Sequence, residues 1–185
     1  MKRLWIIVAL ALAACTSPPT PSPTPAPTLQ PTPQPTAASP ALGSVTVSGV
    51  GTIQRGGSSG DTLNLSFTEA GVAAIGKGPG SFEVTLSDAA GSTSSVSFVG
   101  VPSTAASPVS VGASASIAGS TLTVRILDSN ATFIDRVVVT GIGIAASSSA
   151  APGPIEATMG GFTGSLAGGA TSDVLVSPGS VVSSP

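Results

Sequence analysis

"TLNLSFTE", residues 62–69, puts Leu63, Leu65 and Phe67 at every second position, with Thr62, Asn64, Ser66 and Thr68 between them. A strand sends successive side chains to opposite faces, so this period predicts a strand with one apolar and one polar face. "GSFEVTLSDAAG" (80–91) repeats the pattern with Phe82, Val84 and Leu86, and "TLTVRI" (121–126) repeats it with Leu122, Val124 and Ile126. Further candidate strands are 45–50, 95–101, 108–112, 114–118, 132–140, 142–146, 154–159 and 172–177, rich in β-branched residues. Gly-rich breaks such as "RGGSSGD" (55–61) and "GKGPGS" (76–81) separate them. No stretch carries a helical stripe, and no repeat of about 20 residues marks a solenoid. The expectation is an all-β fold, a single antiparallel β-sandwich of roughly nine to eleven short strands.

Residues 41–185 suit one domain, which at this size buries roughly two-thirds of its unfolded surface without disulfide staples. Ahead of it, residues 17–36 repeat a four-residue unit: SPPT, PSPT, PAPT, LQPT, PQPT. Proline fixes φ, removes a donor and biases its predecessor to extended geometry, so this tract reads as a polyproline II linker without helix or sheet. At about 3.1 Å per residue, residues 16–40 reach at most ~75 Å. The tract reads as a spacer rather than a glycosylated stalk or a proline-motif ligand.

Residues 1–14 have the parts of an export signal: Lys2 and Arg3, an apolar core from Leu4 to Leu12, then the small Ala13 and Ala14. The apolar run is shorter than the about 20 residues a bilayer span needs. Leu12-Ala13-Ala14-Cys15 resembles the lipobox of bacterial lipoproteins, and Cys15 is the sole cysteine. That resemblance implies cleavage between Ala14 and Cys15, acylation of Cys15 and attachment to a bacterial membrane. With Thr16 in place of an aspartate, it implies the outer membrane or cell surface. The organisation expected is a signal peptide (1–14), a lipidated Cys15 with its linker (15–40) and the sandwich (41–185).

"TLNLSFTEAG", "GSFEVTLSDAAG" and "VVVTGIGIAASSSAAPGPIEATMGG" (137–161) together look like a β-sandwich module of bacterial envelope proteins, close to the cohesin and carbohydrate-binding sandwiches. The likeness spans about residues 60–162 and implies a jelly-roll or cohesin-like sandwich used for display, adhesion or assembly.

Motifs that imitate chemistry lack its partners. Gly56-Gly57-Ser58-Ser59-Gly60 matches a nucleophile elbow, but the chain has no histidine to take the serine proton. Gly71 to Lys77 approaches a phosphate loop, yet Gly78 stands where Ser or Thr should hold magnesium and Pro79 stands where a helix should begin. "DSNATFID" (128–135) offers Asp128, Asn130 and Asp135 as calcium ligands, without the central glycine or distal glutamate of an EF-hand loop, so it reads as a hairpin turn. Without histidine or a second cysteine, zinc and copper lack their usual ligands, and no motif calls for a cofactor.

After signal removal Arg55, Lys77, Arg125 and Arg136 face 8 carboxylates. That balance excludes the basic stripe of a nucleic-acid groove. The reading is a lipid-anchored envelope protein whose non-catalytic sandwich meets a protein partner or supports envelope structure. Binding of a polysaccharide is the alternative. It suffers from the absence of Trp and Tyr in the domain, whose aromatics are Phe67, Phe82, Phe98, Phe133 and Phe162. Phe162, in "MGGFTGS", is the one expected to be exposed. A hydrolase using two of Glu69, Glu83 and Glu156 comes third, since nothing in the sequence brings any two together.

Overall fold

In the computed structural model, residues 40–49, 51–60, 62–108, 111–171 and 177–183 are described. All belong to one compact unit that extends over 37–185. Among the described residues ten strands make it up: β1 (Leu42–Ser48), β2 (Thr52–Gln54), β3 (Leu63–Glu69), β4 (Gly80–Ser87) and β5 (Val96–Ser107) come first. β6 (Ala113–Ala118), β7 (Thr121–Ile126), β8 (Arg136–Ala146), β9 (Gly153–Gly164) and β10 (Gly179–Val182) follow.

Two sheets form a sandwich, one of four strands in the order β1-β3-β8-β5 and one of six in the order β2-β10-β9-β4-β7-β6. Neighbours pair antiparallel except β2 and β10, which run parallel through Ile53 and Val181. The alternating residues turn inward as their period requires. Leu63, Leu65 and Phe67 of β3 meet Phe82, Val84 and Leu86 of β4 and Leu122, Val124 and Ile126 of β7, all buried. At the centre Phe67 packs edge-on against Phe82 with ring centroids 4.8 Å apart. Burying each ring stabilises the fold by about 1.5–3 kcal/mol.

One flank of the sandwich is closed by the edge strands themselves. Phe98 N–H in β5 donates to the Gly119 carbonyl at 2.9 Å, and the Thr104 hydroxyl donates to the Ala113 carbonyl at 2.8 Å, linking β5 to the β6–β7 hairpin.

Several strands depart from the expected bounds for local reasons. The strand expected at 132–140 starts only at Arg136, because residues 130–135 form a capped loop, and it then runs on through Gly141 to Ala146. Gly141 takes a positive φ of 72° opposite a register shift in β5, so two expected segments join as one bulged strand. Of the stretch 108–112, residues 109 and 110 lie outside the described residues, and the Val111 N–H donates to the Pro108 carbonyl at 3.1 Å. Residues 172–176, most of another expected strand, lie outside the described residues.

The registers put the start of β1, the end of β3 and the loops 70–79, 127–135 and 165–171 at one end of the sandwich, where the chain also enters at Pro40. It is called the entry end below.

Candidate functional site

At the entry end, two loops are lashed together by carboxylates. Glu69, the last residue of β3, is only 4% exposed; its Oε1 accepts the Ile75 N–H at 2.7 Å and its Oε2 the Asp135 N–H at 2.9 Å. Asp135, 1% exposed, accepts the Asn130 N–H on Oδ2 at 2.8 Å, while its buried Oδ1 has no hydrogen-bond partner. Asn130 Oδ1 in turn accepts the N–H groups of Thr132 (2.8 Å) and Phe133 (3.1 Å). Asp128 Oδ1 accepts from Ser129 N–H at 2.9 Å, and the Ser129 hydroxyl donates across to the Gly76 carbonyl at 3.1 Å. Burial pushes the Asp135 carboxyl above its ordinary range against the pull of the Asn130 N–H, and the charges of Glu69 and Asp128 push it further.

The three residues read as calcium ligands therefore share one loop and act as acceptors for its backbone. Among the described residues, no three histidine, cysteine or acidic side chains gather to hold a metal ion.

This fixed scaffold holds apolar side chains outward. Phe133 is 62% exposed, and Ile134, Leu127 and Val72 on the same pair of loops are also exposed. The expectation for the phenylalanines is corrected here. Phe162 is half-buried and stacks on Phe82 at 5.9 Å, because the bulge near Gly161 turns its ring into the core, whereas Phe133 stands out in solvent. Only one of the five phenylalanines is exposed, so no aromatic sugar platform forms.

A second feature lies on the outer face of the six-stranded sheet. Ser81 of β4 pairs in register with Arg125 of β7 on one side and Thr163 of β9 on the other. With Thr123, Gly80 and Pro79 they line an open depression of about 360 Å³. The Ser81 and Thr163 hydroxyls are hydrogen-bonded to each other at 2.7 Å. A register shift between Ser81 and Glu83, with Gly161 at a φ of 61°, bends β9 here and makes the hollow. Sequence reading placed Arg125 on a strand but had no signal for the bulge.

The remaining candidates separate. Glu83 and Glu156 are exposed on β4 and β9, with Glu156 opposite Ser87, about 13 Å along the strand from Glu83. Glu69 and Asp135 do lie side by side, but buried and occupied by backbone donors rather than across a cleft. In the elbow-like stretch, Ser58 bridges to Ala145 of β8, and the Ser59 hydroxyl accepts the Ile144 N–H at 2.9 Å, so these serines serve the sheet. Lys77 sits exposed in a loop. Ala14 and Cys15 lie outside the described residues. No described helix is long and apolar enough to cross a membrane.

No protein-family model matches the chain, and no curated protein does. Among solved structures, the sixth cohesin of scaffoldin B from Acetivibrio cellulolyticus, in complex with a Cel5 dockerin mutant, is similar at 19% identity over 77% of this chain and 97% of that one, with a TM-score of 0.39. A non-cellulosomal cohesin from the archaeon Archaeoglobus fulgidus is similar at 12% identity over 76% and 91%, with a TM-score of 0.32. Both likenesses are distant, and the sandwich stands on its own strand pairing.

Proposed function

We propose that this chain is a lipid-anchored cell-envelope protein whose non-catalytic sandwich engages a protein partner through its entry-end loops. The observation carrying this reading is the exposure of Phe133, Ile134, Leu127 and Val72 on two loops tied together by Glu69, Ser129 and Asp128, whose Oδ1 accepts the Gly78 N–H at 3.4 Å. Exposed apolar side chains on a pre-organised scaffold gain free energy when covered and lose little entropy in docking. The partner surface is accordingly an apolar one. Cys15 supplies the attachment and the proline-threonine tract the reach.

The test is co-sedimentation of residues 41–185, which lack the lipidated Cys15, with envelope membranes and with wall polysaccharide, each with and without protease treatment. Binding to membranes that disappears after protease, and in a Phe133→Ser/Ile134→Ser variant, is the expected result. Binding to polysaccharide that survives protease overturns it. Cys15→Ala is expected to abolish acyl labelling and membrane retention; normal labelling in that variant removes the anchor from the proposal.

The second reading, a cell-tethered glycan-binding module, is favoured by one observation: the hydroxyl-lined hollow beside Arg125.

A further inference from the structure

The charged side chains of this domain are few, and the cations are unequally used. Arg55 Nε donates to the Ala150 carbonyl at 2.7 Å, and Arg136 Nε donates to the Ser66 hydroxyl at 2.8 Å, so both hold the fold. The Arg125 guanidinium makes no hydrogen bond or ion pair with any described residue, and it lines the hollow on the outer sheet. Beside it stand the Ser81–Thr163 hydroxyl pair and Thr123. Each hydroxyl can donate once and accept twice, so the Ser81–Thr163 bond leaves both oxygens with capacity for a ligand. In-register neighbours on adjacent strands sit about 4.8 Å apart, which spreads Arg125, Ser81 and Thr163 over about 10 Å in one row. A guanidinium offers a planar fork that matches a carboxylate in two parallel bonds. No aromatic ring and no large aliphatic side chain lines the hollow.

We infer that the hollow binds a saccharide unit bearing one carboxylate, with Arg125 taking the carboxylate and Ser81, Thr163 and Thr123 taking ring hydroxyls. This inference rests on the glycan reading given second above and names its ligand class. A bare polyanion fits poorly: in the mature chain 4 cations face 8 carboxylates, and Glu83 lies on the same face two residues from Ser81.

Isothermal titration of the mature chain tests it with three probes: a tetrasaccharide carrying a single uronic acid, the same tetrasaccharide with that carboxyl reduced to an alcohol, and a peptide carrying a single glutamate. The acidic sugar is expected to bind about tenfold tighter than the reduced one, the worth of one charge-assisted contact. Arg125→Gln erases that difference, Arg125→Lys keeps part of it, and Ser81→Ala weakens both sugars. Equal binding of the two sugars, indifference to Arg125→Gln, or equal binding of the peptide each overturns the inference. If neither tetrasaccharide binds while wall polysaccharide still sediments with the chain, this site fails and the glycan reading survives. Loss of both removes the two together.

Discussion

The Ser95 hydroxyl donates to Asp88 Oδ2 at 2.6 Å, and both side chains are buried at the end of the sandwich opposite the chain's entry. The same carboxylate accepts N–H groups from Ala90 (3.0 Å), Ser92 (2.9 Å) and Ala151 (2.8 Å), so it ties the β4–β5 turn to the β8–β9 turn. Those donors, the Ala151 N–H foremost and then the Ser95 hydroxyl, hold the Asp88 carboxyl well below the usual carboxylate range.

A group whose pKa falls on folding contributes stability that is present above its unfolded pKa of 3.8 and is lost as pH drops through the folded value. Asp88→Asn is therefore expected to lower the thermal midpoint by several degrees at pH 7 and to flatten the loss of stability on the acid side. Thermal unfolding at pH 7 and below pH 3 checks this. An unchanged midpoint at pH 7 refutes it.

Asp135 carries the opposite sign. Its pKa rises on folding, so its ionised form costs stability at neutral pH, and that cost fades as pH falls towards 3.8. Asp135→Asn keeps an oxygen for the Asn130 N–H and removes the buried charge beside Glu69. It is expected to raise the urea midpoint at pH 7, with the gain shrinking as the medium is acidified.

Gly143 is buried in β8, and a Cβ there would overlap the Gly60 carbonyl. Neither backbone can yield without breaking the Ser58–Ala145 bridge. Gly143→Ala is expected to cost about 1–3 kcal/mol, the range for an overpacked interior. Gly160→Ala, where a Cβ meets nothing within 4 Å, is the matched control and is expected to be nearly neutral.

Phe82 touches both Phe67 and Phe162. Phe82→Ala is expected to cost about 3–5 kcal/mol in denaturant unfolding. Phe133→Ser, out in solvent, is expected to leave that measurement unchanged while removing partner binding.

The large alternating residues made β3, β4 and β7 legible, because one buried face imposes a period that composition cannot hide. β2 and β10, of 3 and 4 residues, are too short to display a period and are held by pairing with β9 and each other. The second half of β5, "PSTAAS", has no large apolar residue, and an edge strand with a partner on its other flank tolerates Pro102. At the candidate site, Glu69 and Asp135 stand 66 residues apart, so their meeting depends on the β3–β8 pairing and is invisible locally. Arg125 was legible as a strand residue, but the hollow beside it is made by a bulge in a different strand.

The first residues of the sandwich are clasped from two sides. Ala41 N–H (2.9 Å) and Leu42 N–H (3.1 Å) both donate to the Gly169 carbonyl; the Leu42 carbonyl accepts the Thr171 N–H and the Ala41 carbonyl the Ala70 N–H, each at 2.9 Å. A pull transmitted through the proposed tether reaches these four bonds before any other part of the ladder. In the arrangement proposed above they stand mechanically in series with Cys15. In that proposed arrangement, load falls first on Ala41 and Leu42, ahead of the aromatic core.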